Sequence, residues 1–114
     1  LIMELDILIF GAHPDDVELG CAGTVIKEVQ KGSKVGIIDL TRGELGTRGT
    51  VAIRDEETKR ATKIMGVNIR ENMNFKDGFF KDDHNHKLSL IKKIRKYRTK
   101  YRSYKKWKVQ KIKS

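Results

Sequence analysis

The chain has 114 residues, with 25 Lys and Arg against 15 Asp and Glu, and a single Cys. One cysteine excludes an internal disulfide scaffold, and no run approaches the roughly 18–20 apolar residues of a membrane span. The formal charge of +10 suggests a polyanion binder, yet residues 92–114 hold twelve basic residues and no acid, while 1–91 hold 13 basic against 15 acidic.

In chain order, residues 5–10 (LDILIF) form a short apolar run of the kind that makes a buried parallel strand. A loop with Gly11 and Pro14 follows. The spacing of Leu19, Ala22, Val25, Ile26 and Val29 predicts a helix over 19–31, stopped at Gly32. Residues 35–40 are a second buried strand, and 41–50, with three glycines, a functional loop. A second helix is predicted over 51–65, with Ile53, Ala61, Ile64 and Met65 as buried positions and Gly66 as its end. Residues 67–75 are the weakest strand, because Arg70, Glu71 and Asn72 interrupt its apolar pattern. A polar loop over 76–86 leads to a third helix over about 87–97.

This alternation predicts an α/β fold, a Rossmann-like parallel sheet with helices on both faces. From Thr99 the chain has no acid, no Gly and no apolar period. It makes a poor fourth strand, so the fold is expected to be incomplete, at about three βα units.

Ligands of open parallel sheets bind beyond the C-terminal ends of the strands. The first loop there reads Ala12-His13-Pro14-Asp15-Asp16. One imidazole and two carboxylates within four positions suit Zn²⁺, with Pro14 fixing the backbone so that His13 and Asp16 share a centre while Asp15 faces elsewhere. A carboxylate beside a metal-activated water suits a general base. The same two carboxylates equally suit the capping of the next helix. Cys21 reads as a small buried residue rather than a nucleophile. Arg42 and Arg48 read as solvated loop charges or ligand contacts, and Arg54 as a partner of Glu57 or Thr58 on its helix. A dinucleotide site with Asp39 as ribose partner fails, because the first loop lacks Gly-x-Gly-x-x-Gly.

GAHPDDVELGCAGT together with DLTRGELGTRGT resembles the zinc-dependent N-acetylglucosaminyl deacetylases related to the LmbE and PIG-L proteins. The likeness runs over about residues 3–98 and leans toward the branch acting on N-acetylglucosaminyl malate in bacillithiol biosynthesis. The resemblance implies His13 and Asp16 as zinc ligands, Asp15 as general base, and Arg54 as a substrate-holding arginine. Glu44 and Asp77 match positions near the sugar. It further implies a small sugar-conjugate substrate, amide hydrolysis, no membrane, no specific nucleic acid, and a homo-oligomer as the full-length assembly.

The family's third zinc ligand lies in a His-x-x-His motif after the fourth strand, and no such motif occurs here. His84 and His86 do not match it. After Arg98 the family pattern continues with Pro and an apolar strand. Suitable codons for Thr99 to Ser103, read one base out of frame, encode Pro-Asn-Ile-Val-Leu. Residues 1–98 are therefore expected to be the N-terminal part of a deacetylase domain, and 99–114 a frameshift or truncation product. The competing expectation is nucleic-acid binding by that basic tail, with Tyr97, Tyr101, Tyr104 and Trp107 interleaved. Met3 is the expected natural start; lacking a basic segment ahead of an apolar one, the N-terminus reads as having no signal peptide, and a cytoplasmic location is expected.

Overall fold

The computed structural model describes residues 4–44, 50–76, 84–97 and, as main chain alone, 108–112. Arg48, Asp77 and the tail aromatics Tyr101, Tyr104 and Trp107 lie outside the described residues. Four strands form one sheet: β1 (Ile7–Gly11), β2 (Val35–Thr41), β3 (Ile69–Phe75) and β4 (Lys108–Ile112). Three helices intervene: α1 (Asp16–Gln30), α2 (Val51–Met65) and α3 (His84–Lys96). The strand order is β3-β2-β1-β4 and each recorded pairing is parallel.

Alternation along the strands explains the two cores. Ile9, Val35 and Ile37 face α1 and α2 and pack with Val17, Val25 and Met65. Leu8, Phe10, Ile38 and Leu40 face the other way and pack with Leu5 and Tyr97, against which Leu90 and Ile94 of α3 lie. Helices therefore cover both faces, as the pattern predicts. Two continuous apolar strands in the middle of the sheet carry most of the burial, each such side chain contributing about 1.5–3 kcal/mol.

Three expectations are corrected. Leu19 is 81 % exposed and Ile64 80 %, and Ile53 also faces outward; helical spacing identifies a stripe but not what lies opposite it. The third helix begins at His84, taking in both histidines, and His86 packs its ring 4.2 Å from that of Phe75. The third correction concerns the tail. Lys108–Ile112 is a strand, pairing Ile7 with Lys108 and Gly11 with Ile112. Main-chain hydrogen bonding to the open edge of β1 does not require an apolar side-chain pattern.

At β3 the three polar residues divide between faces. Arg70 and Asn72 turn toward α2, whereas Glu71 shares the α3 face with Ile69, Met73 and Phe75. One extra residue on β3 is taken up between the Asp39↔Asn72 and Thr41↔Phe75 pairs, where Asn74 adopts φ 57°.

β2 lies on one side of β1, and α3 carries the chain to the other side, where β4 pairs. The C-terminal end of β1 is thus the point where the winding reverses, the position at which open α/β sheets bind ligands.

Candidate active site

The loop 12–15 joins β1 to α1 at that reversal point. Asp16 begins α1 and is buried, 6 % exposed, whereas Asp15 next to it is exposed. The His13 amide donates to Asp16 Oδ2 at 2.9 Å, and the Asp16 amide donates to the His13 carbonyl at 3.1 Å. This closed turn brings His13 Nδ1 to 3.6 Å from Asp16 Oδ2. The carboxylate of Asp15 makes no capping hydrogen bond. Capping therefore does not account for it, and it stands in solvent beside the His13 and Asp16 pair.

The second loop is tied to the first. The Thr41 amide and hydroxyl both donate to the Ala12 carbonyl, at 3.1 and 3.0 Å. The Gly43 amide donates to Thr41 Oγ1 at 3.3 Å. Arg54, on the first turn of α2, donates through Nη1 to the Gly43 carbonyl. Gly43 has φ +68°, and a Cβ there would lie 2.7 Å from Arg54 Nη1 and 3.5 Å from Pro14 Cδ. His13, Asp16, Gly43 and Arg54 thus belong to one neighbourhood. Glu44 sits exposed at the end of the same segment. Arg42 is an exposed charge, as the solvated reading expects, and it pairs at the surface with Asp55. Thr50 caps α2 by accepting from the Ile53 amide at 3.1 Å, which orients the turn bearing Arg54.

Beneath the first loop lies a charged cluster that the sequence did not advertise. Arg70 donates through Nε to Asp39 Oδ2 at 2.8 Å and through Nη2 to Asp39 Oδ1 at 3.1 Å. Nη2 also reaches the Pro14 carbonyl and lies 2.9 Å from Glu18 Oε1. Burial lifts Asp39 to about 6, against the opposing hydrogen bond and charge of Arg70. Burial disfavours the Arg70 charge most strongly, but hydrogen bonding and attraction from Asp39 and then Glu18 outweigh it. Cys21, where α1 kinks (φ −153°, ψ 25°), has its thiol pKa pushed up by burial and then by Glu18. It is not a reactive thiolate.

The donor set fits zinc in part. An imidazole and a carboxylate, adjacent and held by the backbone, would be two of the three protein ligands that a catalytic zinc site uses. Among the described residues no group of three or more His, Cys, Asp or Glu side chains is arranged so that it could hold a metal ion. A groove of about 480 Å³ between α2 and β3 is lined by Asp39, Arg42, Thr62 and Arg70 and meets the candidate site only at Pro14. Among the described residues no helix is long and apolar enough to cross a membrane.

Residues 8–104 match the family model described as PIG-L, GlcNAc-PI de-N-acetylase. Over 71 residues the chain is 42 % identical to an uncharacterised deacetylase, YaiS, of Escherichia coli K12, covering 62 % of this chain and 38 % of that one. It is 36 % identical over 84 residues to a probable N-acetyl-alpha-D-glucosaminyl L-malate deacetylase of Bacillus anthracis, covering 65 % and 37 %. The solved structure of the conserved protein TT1542 of Thermus thermophilus superposes with a TM-score of 0.75 at 42 % identity, covering 79 % of this chain and 41 % of that one. The chain thus spans about two-fifths of the length of the relatives it matches. With the family model matched over most of its length, and with the His13 to Asp16 turn at the reversal point of the sheet, the chain belongs to the PIG-L family.

Proposed function

We propose that this chain is the N-terminal part of a zinc-dependent hydrolase that removes the acetyl group from an N-acetylglucosamine conjugate. The observation that carries this reading is the turn that sets His13 Nδ1 3.6 Å from Asp16 Oδ2 with Asp15 exposed beside them. The malate conjugate of bacillithiol biosynthesis is the proposed substrate, supported by the B. anthracis relative and by the 41–50 segment. His13 and Asp16 would hold the zinc. Zinc bound there lowers the pKa of a water toward ~7 and polarises a carbonyl.

Asp15, in solvent and without a capping bond, is the proposed general base: it takes the water's proton and returns it to the departing amine. Arg54, steered by the Gly43 carbonyl, orients the substrate; Glu44 and Asp77 are proposed to line the sugar. A cytoplasmic location and a homo-oligomeric full-length assembly belong to the same proposal. The segment 99–114 is proposed to arise from a shifted reading frame.

Two ligands hold zinc weakly. Purified chain, dialysed and measured by elemental analysis, is expected to retain far less than one zinc per molecule. Calorimetric titration should show weak binding that His13→Ala removes. Stoichiometric, dialysis-resistant zinc would contradict the two-ligand reading. Sequencing the gene across the codons for Arg98 to Ser103, and assaying amine release from the malate conjugate by the product of the resulting frame, tests the remainder. An intact frame with no His-x-x-His downstream would sink it.

A further inference from the structure

The geometry points to Arg70 as the positioning residue of the His13–Asp16 turn: it anchors the Pro14 carbonyl to the sheet and so sets the geometry in which the two zinc ligands meet. The inference rests on the zinc reading above for its purpose, though not for its structural part.

Four observations carry it. First, the Arg70 side chain is only 7 % exposed, and its partner Asp39 2 %. A buried guanidinium is costly to desolvate, and an apolar side chain of similar volume would fill the space without that cost. Second, its hydrogen bonds and ion pairs reach three elements and the loop. The fork binds both oxygens of Asp39 on β2, Nη2 reaches Glu18 on α1 and the Pro14 carbonyl, and Nη1 lies 3.4 Å from Thr62 Oγ1 on α2.

Third, Pro14 has no amide hydrogen, so its carbonyl is the only main-chain polar group by which that residue can be held. Fixing that carbonyl fixes the peptide plane between Pro14 and Asp15, directly between the ligand His13 and the proposed base. Fourth, the turn's own bonds, His13 N to Asp16 Oδ2 and Asp16 N to His13 O, close the loop upon itself but do not attach it to β3. Arg70 makes that attachment. A lysine could keep the charge beside Asp39 but has no rigid fork with which to bind Asp39 and Pro14 together.

The test uses the whole chain with Arg70→Lys, which retains the charge facing Asp39, and with Arg70→Met. Amide hydrogen exchange by NMR, without metal, reads the turn. Titration with Co²⁺ alone, followed by its visible absorption, reads ligand geometry. In Arg70→Lys the His13 and Asp16 amides are expected to exchange at least ~10-fold faster, while those of Ile37 and Ile38 stay within ~3-fold. Co²⁺ affinity should fall ~10–100-fold, the range for groups that orient metal ligands, with an altered absorption band. Arg70→Met should do more of the same.

Turn protection, Co²⁺ affinity and spectrum all unchanged in Arg70→Lys would overturn the proposal. So would a loss of protection spread evenly over the sheet, which assigns Arg70 to general stability. Turn exchange that quickens without any change in Co²⁺ binding also overturns it. If the unaltered chain takes up no Co²⁺, the zinc reading fails, and the exchange data alone then decide whether Arg70 positions the turn.

Discussion

At the residue scale, the site divides into what is local in sequence and what is not. His13, Asp15 and Asp16 are legible because a strand, a proline and a helix start place them within four positions, and the structure brings His13 and Asp16 together. Asp39 and Arg70, 31 residues apart, meet across adjacent strands, and neither carries a local signal beyond being a charge inside an apolar pattern. That interruption was the available clue: a charge on the helix-covered face of β3 must find a partner, and β2 supplied one. Gly43 gives a residue-level prediction. Its φ of +68° disfavours a side chain, and the new Cβ would strike Arg54 Nη1. Gly43→Ala should cost about 1–2 kcal/mol, read from the denaturation midpoint. Arg54 can swing aside, so in a double-mutant cycle Gly43→Ala with Arg54→Ala should lose less than the sum of the two. Strict additivity would show that the two do not touch.

At the element scale, β1, β2 and α2 were readable to within one or two residues, since mainly apolar runs mark the strands and Gly66 ends the helix. β3 was obscured because its two faces meet different chemistry. Its α3 face holds Glu71, with Lys93 Nζ 3.1 Å and Lys96 Nζ 3.6 Å away. Burial alone would raise the Glu71 pKa, but hydrogen bonds from Tyr97 and Lys93 and the charges of both lysines outweigh it and hold it below the usual value. A carboxylate with a lowered pKa stabilises the folded state above its unfolded pKa of ~4.3. That contribution is lost as pH falls through the lower, folded value. Exchange of α3 amides should therefore quicken as pH is lowered from 6 toward 4 and below, relative to β2 amides measured at the same pH. In Glu71→Gln this extra pH dependence should vanish; if it persists, another group titrates.

At the scale of the whole molecule, the sheet is covered on both faces, and the helices leave several large apolar side chains exposed. Leu19, Ile53, Ile64, Leu88 and Ile91 are exposed, and among the described residues no further strand pairs with β3 or β4. Exposed apolar surface and unpaired edges favour association. The 114 residues alone should give a broad, low-amplitude melt by circular dichroism and concentration-dependent scattering on warming. A sharp, cooperative, concentration-independent transition would show that this portion is self-sufficient. Fold class was legible at this scale because the alternation of periods fixes it, whereas the fourth strand was not, since main-chain pairing leaves little trace in a basic, pattern-free segment.

The pairing of β4 also bears on how the molecule comes together in time. Ile7 meets Val35 across 28 positions but Lys108 across 101. Closing the longer loop is entropically dearer and slower, so the strand that carries the His13 turn should be zipped on its β2 side first and remain bare on the other until residues 108–112 have been synthesised. During that interval its free edge is the place where another strand, native or foreign, can compete.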